Sequence, residues 1–477
     1  MSAEVVVIGA GPGGYTAAFY AADLGLEVTL IDKDKDLGGV CLNRGCIPSK
    51  FLLHLVGLKH QILEARKWGL ECSEVKINLE KIRKTKEKIV RKLNLGLNSL
   101  VKSRKIQVLQ GNARFLDPHR LEIQQATKTE ILEFQNAIIA TGSHPSVPNA
   151  ISSDSSLIWT SDEALELRTI PPRLLVVGGG VIGLELGQVY QTLGSKITII
   201  EMLDQLAPGV DPELVKILEK SLPFEIHTSS QLLSLQEKQD KGQKILLAKW
   251  TKGEKEFNQE FDAALIATGR RPNTENLGLS EANIEISPQG FIAVNTAQQT
   301  SQPHIYAIGD VVGPPMLAHK ASRQARVAVE NIKQMPAEFD NRAIPSVIFT
   351  DPEVAWVGAS EQELKEQNIP YEVGKFPWAA SGKALTLHRT EGLCKVLAHR
   401  KTKRILGVHL IGAHVSELIA EATLAVEMGA VVEDLSSTIH THPTLSETIM
   451  EACEAIYGVA THIFEKKQST SNFKNTK

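Results

Sequence analysis

The stretch Glu4-Val-Val-Val-Ile-Gly-Ala-Gly-Pro-Gly-Gly14 decides the fold of this chain. Val5 to Ile8 is a short β-branched run, which predicts a strand buried on both faces. Three glycines with the spacing G-x-G-x-x-G come next: Gly9, Gly11 and Gly14. An Ala-rich helix is predicted from Tyr15 to Leu24. Because the glycine turn lets an anion approach the free N–H groups of the helix, this arrangement is typical of a dinucleotide pyrophosphate site.

The residues after this helix favour the same interpretation. A second strand is predicted from Glu27 to Ile31, and Asp32 follows it, 18 residues past Gly14. An acid at the end of the second strand is placed to hydrogen-bond a ribose hydroxyl. We therefore expect a dinucleotide site rather than a chance glycine pattern.

The same pattern recurs in Arg173-Leu-Leu-Val-Val-Gly-Gly-Gly-Val-Ile-Gly183. A strand from Lys196 to Ile200 follows, and it ends at Glu201, again 18 residues after the third glycine. Both copies later end in the phrase Ile-Ala-Thr-Gly, at residues 139–142 and 266–269. One site and one decayed copy would be the alternative. The intact glycines and acid in both copies predict two bound dinucleotides, with Gly178, Gly180, Gly183 and Gly269 at the second.

The second acid predicts which nucleotide binds there. Glu201 is followed by Met202, Leu203, Asp204 and Gln205, none of which is basic. A 2′-phosphate would need a nearby Arg or Lys, whereas a carboxylate repels it and accepts a hydrogen bond from a free 2′-hydroxyl. The second site should therefore prefer NAD to NADP.

Composition excludes several other classes of protein. The 477 residues allow about three domains. The 52 basic and 55 acidic residues give a net charge of −3, which disfavours nucleic-acid binding. No apolar run approaches the roughly 18 residues of a membrane span, and the N-terminus lacks a basic flank and a cleavage site. We expect a globular, cytoplasmic protein.

Two of the five cysteines lie close together in Leu37-Gly-Gly-Val-Cys-Leu-Asn-Arg-Gly-Cys-Ile-Pro-Ser-Lys50. In a regular helix Cys41 and Cys46 would have Cα atoms roughly 8–9 Å apart, beyond the roughly 4.4–6.8 Å of a disulfide. A bridge therefore needs a distorted turn, which Gly45 and Pro48 favour. Two free thiols or half of a zinc site are the alternatives. The other cysteines are scattered (Cys72, Cys394 and Cys453), so a redox-active pair is the favoured interpretation.

The stretch from Gly38 to Lys50 resembles the redox-active motif of the pyridine nucleotide–disulfide oxidoreductases, and the resemblance extends from about Val5 to about Gly458. The Leu-Asn and Ile-Pro-Ser-Lys details are most similar to the members that oxidise dihydrolipoamide. The resemblance implies an α/β fold with two Rossmann-like dinucleotide-binding domains plus a C-terminal α+β dimerisation domain. The implied boundaries are 1–147 for FAD, 148–272 for NAD, 273–345 completing the FAD site, 346–465 for the interface and 466–477 for a mobile tail.

The resemblance also implies which residues hold FAD. Asp310, in Ala307-Ile-Gly-Asp310, would hydrogen-bond the flavin ribitol, although a strand end alone would explain it equally well. Lys50 would lie near the flavin, paired with Glu185, although both could be solvated helix charges. The complete set of residues implied for FAD is Gly9, Gly11, Gly14, Asp32, Lys50, Gly111, Thr141, Gly142, Asp310, Met316, Leu317, Ala318 and His319.

A third motif is Ile439-His-Thr-His-Pro-Thr-Leu-Ser-Glu447, in which the resemblance makes His442 the catalytic base and Glu447 its orienting carboxylate. Thr444 to Glu447 also reads as a capping box, so Glu447 could merely cap a helix. His440 and His442 could suggest a metal pair, but no third ligand is evident. We therefore expect no metal and a structural role for His440.

The implied reaction is electron transfer from a dithiol to NAD. Cys41 would exchange with the dihydrolipoyl thiol and Cys46 would face the flavin. The implied assembly is a homodimer that serves lipoyl-carrying proteins of 2-oxoacid dehydrogenase or glycine cleavage complexes. A glutathione-type reductase would need basic residues near Glu201, and a mercuric reductase usually has a C-terminal cysteine pair. A structural role within a multienzyme complex stays compatible with catalysis.

The chain departs from the family pattern at two positions. Asp32 stands where Glu is common, and Arg44 stands between the two cysteines where an apolar residue is usual. Our hypothesis from the sequence is that the charge of Arg44 lowers the pKa of a neighbouring thiol.

Overall fold

The structure is a computed structural model that describes residues 2–71, 74–148, 151, 155–240 and 242–464. The chain divides into two compact units. The N-terminal unit runs up to Asp204 and resumes at Phe224–Asp340, and the C-terminal unit comprises Gln205–Pro223 and the chain from Asn341 onward. Cys72 and the predicted tail at 466–477 lie outside the described residues.

The first sheet of the N-terminal unit is built around the opening strand. Its elements and the helices between them are β1 (Ser2–Ile8), α1 (Pro12–Asp23), β2 (Val28–Asp32), α2 (Gly39–Arg44), α3 (Cys46–Ala65), α4 (Leu79–Ser103), β3 (Gln107–Gln110), β4 (Asn112–Asp117), β5 (Arg120–Gln124) and β6 (Thr129–Ile139). The strand order is β3-β2-β1-β6-β5-β4. Val6 and Ile8 join one hydrophobic cluster and Val5 and Val7 join another, so β1 is buried on both faces as predicted.

The second sheet repeats this plan. The short strand β7 (Ser143–Pro145) precedes it in the chain. The elements that follow are β8 (Ile158–Trp159), α5 (Ser161–Glu166), β9 (Arg173–Val177), α6 (Val181–Leu193), β10 (Lys196–Ile200) and β11 (Glu225–His227). Between β10 and β11 lies helix α7 (Pro212–Ser221), which belongs to the other unit. β9 runs parallel to β10 at its centre.

The remaining elements of the N-terminal unit complete both sheets. They are β12 (Ser230–Asp240), β13 (Gln243–Lys252), β14 (Lys255–Phe261), β15 (Ala263–Ile266), β16 (Arg270–Pro272), β17 (Ile305–Ala307) and α8 (Ala318–Ile332). β15 joins the second sheet beside β9, and β17 joins the first sheet beside β6. β12 to β14 form a separate antiparallel sheet, and β16 pairs with β7.

The C-terminal unit packs helices on an antiparallel sheet. Its elements are α7, β18 (Ser346–Ile348), β19 (Glu353–Gly358), α9 (Glu361–Glu366), β20 (Tyr371–Pro377), α10 (Gly382–Leu387), β21 (Leu393–His399), β22 (Ile405–Gly412), α11 (Val415–Met428), α12 (Val432–Ser436) and α13 (Glu447–Tyr457). The strand order is β18-β19-β22-β21-β20. The first sheet is parallel around β1 and antiparallel from β6 to β4, and the second sheet is parallel. These two sheets with glycine turns, together with the α+β unit, confirm the predicted fold class.

Most predicted elements lie where the sequence placed them. The strand Lys196–Ile200 has the predicted bounds. The first helix begins at Pro12 rather than Tyr15, because proline is favoured in a first helical turn, where its missing N–H has no partner to lose. No helix among the described residues has the length and apolarity to cross a membrane.

The position of α7 is a finding that the sequence did not predict. The expected NAD region runs continuously from 148 to 272, but Gln205–Pro223 belongs to the C-terminal unit. The chain therefore passes between the two units more than once, and the proposed domain boundaries remain predictions.

Candidate active site

The two glycine turns have the same geometry. Gly9 has φ +105°, and a Cβ placed on it would lie 2.3 Å from the carbonyl oxygen of Ala140. Gly178 has φ +104°, and its Cβ would lie 2.4 Å from the carbonyl oxygen of Ala267. Only glycine fits either position. Ala140 and Ala267 begin the two Ala-Thr-Gly phrases. In each copy of the repeat, therefore, the glycine turn lies against the Ala-Thr-Gly phrase of the same copy.

The two acids also occupy equivalent positions. Asp32 accepts hydrogen bonds from the amides of Ala10 (2.5 Å) and Asp34 (2.8 Å). Glu201 accepts them from the amides of Gly179 and Leu203, both at 2.7 Å. Each carboxylate is thus fixed against its glycine turn, where a ribose would lie. Burial raises the pKa of Asp32, while its hydrogen bonds with the backbone oppose that rise.

A cleft of about 1120 Å³ opens at the end of β1 and β2. Four residues predicted for FAD line it: Gly9, Asp32, Gly111 and Thr141. The Gly111 amide donates to the Asp32 carbonyl (2.9 Å), and a Cβ on Gly111 would lie 2.8 Å from the carbonyl oxygen of Gln124. A large cleft with a glycine turn and a fixed acid in its wall fits the nucleotide end of FAD.

Other predicted flavin residues lie on the segments after β17. Asp310 is in a short 3₁₀ helix, Gly309–Val312, and its carboxylate accepts a hydrogen bond from the Ser143 hydroxyl (2.6 Å). Arg270 donates to the same hydroxyl (2.7 Å). Of the remaining predicted residues, Gly142 has positive φ (+71°) directly before β7, Met316 and Leu317 precede α8, and Ala318 and His319 begin it.

The two central cysteines belong to different helices. α2 carries Cys41 and ends at Arg44, and α3 begins at Cys46, because Gly45 (φ −145°, ψ −112°) breaks the helix between them. This is the distorted turn that the sequence predicted. The structure records both residues as thiols, with a hydrogen bond between them.

The two sulfurs have different acidities. The hydrogen bond from Cys41 and the charge of Lys50 lower the pKa of Cys46 to about 7, although desolvation opposes this. The shared hydrogen bond and burial raise the pKa of Cys41. Cys46 is therefore the sulfur that ionises near neutral pH. Lys50 is the cation responsible, whereas Arg44 faces the carboxylates of Asp34 and Asp162.

Lys50 lies one turn beyond Cys46 on α3 and pairs with Glu185 on α6. Its Nζ is 2.9 and 3.1 Å from the two carboxylate oxygens. Glu185 is only 4% exposed. This ion pair joins the redox helices to the second nucleotide-binding motif, and it places a positive charge beside Cys46.

The C-terminal unit contains the predicted base and its carboxylate. His442 Nδ1 lies 2.8 Å from Glu447 Oε1, and the imidazole side chain is 71% exposed. The other carboxylate oxygen accepts from the Thr444 amide (2.7 Å). Glu447 thus contacts His442 and also the turn before α13. The capping box predicted from Thr444 to Glu447 is not formed, because α13 begins at Glu447, Ser446 precedes it, and the Thr444 hydroxyl bonds to Thr441 and Ser446 instead. Although burial opposes it, the Thr444 amide and His442 hold the pKa of Glu447 below its ordinary value.

His440 has a different environment from His442. Its Nε2 lies 2.8 Å from Glu421 and its Nδ1 lies 2.9 Å from the Thr438 carbonyl oxygen. Among the described residues, no group of three or more His, Cys, Asp or Glu side chains could hold a metal ion. A structural role for His440 fits these contacts.

Three residues of the site were missed from the sequence. Tyr15 lies near both cysteines, and its pKa is raised by burial and by the charges of Cys41 and Cys46. Ser143 donates a hydrogen bond to Asp310, and Arg270 donates one to Ser143. Tyr15 directly follows Gly14, and this position is the one sequence signal that could have placed it at the site. Ser143 and Arg270 each follow an Ala-Thr-Gly phrase but belong to no motif of their own.

Comparisons with known proteins agree with this geometry. The family model described as pyridine nucleotide-disulphide oxidoreductase matches residues 3–325, and the model of that family's dimerisation domain matches residues 344–453. The chain is 42% identical over 474 residues to a dihydrolipoyl dehydrogenase of Buchnera aphidicola subsp. Schizaphis graminum, covering 99% of both chains. It is 44% identical over 467 residues to that of Thermus scotoductus, covering 97% of this chain and 99% of the relative.

A solved structure also shares the fold. It is a Cu(II) complex of the HOCl-induced flavoprotein disulfide reductase RclA from Escherichia coli. The TM-score is 0.85 with 24% sequence identity, and the match covers 95% of this chain and 99% of that chain.

Proposed function

This chain belongs to the pyridine nucleotide-disulphide oxidoreductase family, and we propose that it oxidises protein-bound dihydrolipoamide to lipoamide with NAD as the final electron acceptor. One observation carries the proposal: a thiol pair on two separate helices, with the Lys50–Glu185 ion pair beside it, in a chain of this similarity to dihydrolipoyl dehydrogenases.

The residues act in sequence on the sulfur atoms. His442, oriented by Glu447, takes a proton from one dihydrolipoyl thiol, and that sulfur attacks Cys41 of the Cys41–Cys46 disulfide. The second substrate thiol then displaces Cys41 and closes the lipoyl disulfide, which leaves both cysteines reduced. Cys46, with its pKa of about 7, holds the resulting negative charge beside Lys50. FAD, when bound, would carry the electron pair from the two cysteines to NAD. The Cys41–Cys46 bond re-forms as the electron pair leaves, and the two protons of the substrate thiols end as the hydrogen of NADH and one released proton.

Two sets of residues hold the cofactors. The FAD set comprises Gly9, Gly11, Gly14, Asp32, Lys50, Gly111, Thr141, Gly142, Asp310 and residues 316–319. The NAD set comprises Gly178, Gly180, Gly183, Glu201 and Gly269. Because Glu201 is held against its glycine turn with no basic residue directly after it, the second site favours a free 2′-hydroxyl.

The working form is a homodimer, supported by the match of residues 344–453 to the family's dimerisation domain. In it, His442 of one subunit serves the Cys41–Cys46 pair of the other. The partners are lipoyl-carrying proteins of 2-oxoacid dehydrogenase or glycine cleavage complexes. The expected cytoplasmic location stays a prediction.

NADH formation from NAD and dihydrolipoamide tests this function. Purified yellow protein should form NADH rapidly, and Cys46→Ser should abolish turnover because the disulfide cannot form and the electron pair leaves the cysteines from that sulfur. Cys453→Ala is the matched control, since Cys453 lies buried in the core of the C-terminal unit, and it should retain turnover. An FAD-loaded enzyme that NADH reduces but dihydrolipoamide does not would contradict the substrate and keep the family.

A further inference from the structure

The helix that carries Cys41 depends on its neighbours for its position. α2 has only six residues, and helices this short are unstable alone. Gly38 (φ +107°) precedes it, and Gly45 breaks the chain after it. When the Cys41–Cys46 bond is open, only the main chain and non-covalent contacts hold α2 in place.

Arg44, the last residue of α2, supplies two of those contacts. Its Nη2 lies 3.0 Å from Asp34 Oδ2, and its Nε lies 3.4 Å from Asp162 Oδ2. Asp34 follows the ribose-facing Asp32 after β2, whereas Asp162 is in the first turn of α5. One guanidinium therefore joins the redox helix to two segments that are far apart in sequence. The Arg44 side chain is 38% exposed, so the pairs are partly screened.

The contacts continue from Asp162 toward the flavin residues. The charge of Arg270 also acts on Asp162. Arg270 donates to the hydroxyl of Ser143 (2.7 Å) and to its carbonyl oxygen (2.8 Å), and Ser143 donates to Asp310 (2.6 Å). Alternating charges and hydrogen bonds thus connect α2 with the acid proposed to bind the ribitol.

Asn43 holds the same helix from the other side. Its amide donates to the carbonyl oxygens of Asp36 and Leu37, at 3.3 and 3.2 Å. Its side-chain oxygen accepts from Asn94 on α4 (2.8 Å). These bonds tie α2 to the loop before it and to α4, whereas the ion pair of Arg44 with Asp162 ties it to α5.

We propose that Arg44 is a positioning residue that holds α2 in place while the Cys41–Cys46 bond is open, so that Cys41 stays within reach of Cys46 and the disulfide can re-form. The inference rests on the proposed redox function of this pair. It differs from a direct effect of the Arg44 charge on the thiols, because the guanidinium acts through Asp34 and Asp162.

Hydrogen–deuterium exchange of residues 38–46 tests this role in the FAD-bound enzyme, oxidised or reduced with dithiothreitol. The wild type should protect this segment in both states. Arg44→Met should match the wild type when oxidised, because the disulfide then holds α2. In the reduced state it should exchange about three- to tenfold faster, the size expected for partly exposed ion pairs. Asp162→Asn should act in the same direction, and Arg44→Lys, which can still reach a carboxylate, should restore much of the protection.

Arg120→Met is the matched control, since Arg120 is an exposed arginine on β5 that pairs with Asp117 (2.6 Å), and it should leave exchange of residues 38–46 unchanged in both states. Anaerobic single-turnover reoxidation by NAD provides a second readout. Arg44→Met should slow re-formation of the disulfide by a similar factor, while the oxidised flavin spectrum stays unchanged.

Three results would overturn the role of Arg44. Reduced Arg44→Met could exchange like the wild type, it could exchange faster in both states, or the wild-type helix could lose its protection on reduction. A wild-type enzyme without dihydrolipoamide turnover would instead contradict the proposed function, and the exchange measurement would still decide the role of Arg44.

Discussion

At the scale of single residues, the charge of Cys46 depends on two neighbours that the chain holds in different ways. Cys41 is held by the short helix α2, and Lys50 lies one turn farther along α3 and is held by Glu185. Both lower the pKa of Cys46, which reaches about 7. The sulfur therefore becomes a thiolate as the pH rises through neutrality.

Replacing Lys50 tests this charge effect. Lys50→Met removes a cation that lowers the pKa of Cys46 and leaves Glu185, whose negative charge raises it. The thiolate–flavin absorbance of the reduced enzyme should then appear at higher pH, with its midpoint shifted upward by on the order of one unit or more. Lys88→Met, at an exposed position of α4, is the control. If the midpoint did not move in Lys50→Met, the low pKa of Cys46 would be due to the hydrogen bond from Cys41 and not to the charge of Lys50.

At the scale of elements, each nucleotide-binding half is a strand, a turn and a helix that must come very close together. A Cβ on Gly183 would lie only 2.1 Å from the carbonyl oxygen of Gly178, so α6 packs directly on the turn. Gly180 differs, because a Cβ there would have nothing within 4 Å. The three glycines of one motif therefore have different physical reasons to be glycine.

Two alanine variants distinguish a glycine that the fold of the turn requires from one that only ligand binding requires. Gly178→Ala places a Cβ 2.4 Å from the Ala267 carbonyl oxygen at positive φ, so it should lower the melting temperature and weaken NADH binding by about tenfold or more. Bound FAD should be retained, because the turn at Gly9 is untouched. Gly180→Ala should melt like the wild type and lose only NADH affinity, since the added methyl group faces the space that a pyrophosphate would approach. Flavin-fluorescence titration with NADH and thermal unfolding measure both, and equal melting temperatures for the two variants would contradict the distinction.

At the scale of the whole molecule, the chain leaves the second sheet after β10, enters the C-terminal unit as α7 and returns. Lys395 on β21 pairs with acidic residues at the start of α7 and so holds the segment Gln205–Pro223 in the C-terminal unit. It is 1% exposed, and its Nζ lies 2.6 Å from Asp211 and 2.9 Å from Glu213, at the start of α7, and also pairs with Glu361. Although burial opposes it, the hydrogen bonds of Lys375 and Lys395 hold the pKa of Glu213 below its ordinary value.

Removing the central cation tests this anchor. Lys395→Met leaves the buried Asp211 without its positive partner and should cost about 3–5 kcal/mol of unfolding free energy. Lys375→Met breaks a half-exposed pair with Glu213 and should cost less than about 1 kcal/mol. Urea unfolding at one fixed protein concentration measures both, because subunit association affects apparent stability. Similar losses in the two variants would contradict the anchor.

The pH dependence of this anchor has a definite sign. Since the pKa of Glu213 is lowered by folding, its contribution is fully present above the unfolded value near 4.5 and is lost as the pH falls through the folded value. The stability difference between the wild type and Lys395→Met should therefore shrink in acid.

The sequence by itself determined the two nucleotide-binding halves, the acids at their second strands and the break between Cys41 and Cys46. These features are local: a strand, a turn and a helix follow one another within about thirty residues, and their steric requirements leave glycine, proline and acid at fixed spacings. The pairings of Lys50 with Glu185 and of His442 with Glu447 came from the family resemblance, and the structure supplied their distances.

Only the tertiary structure decided the partners of Arg44, Lys395 and Asp310. Asp162, Asp211 and Ser143 are ordinary polar residues in their own segments, and Lys395 interrupts an otherwise apolar strand without indicating a partner. Charge pairs between distant segments leave no periodic signal, because their positions depend on how whole sheets and helices pack. The placement of α7 has the same cause, since its amphipathic pattern specifies a buried face but not the unit that buries it.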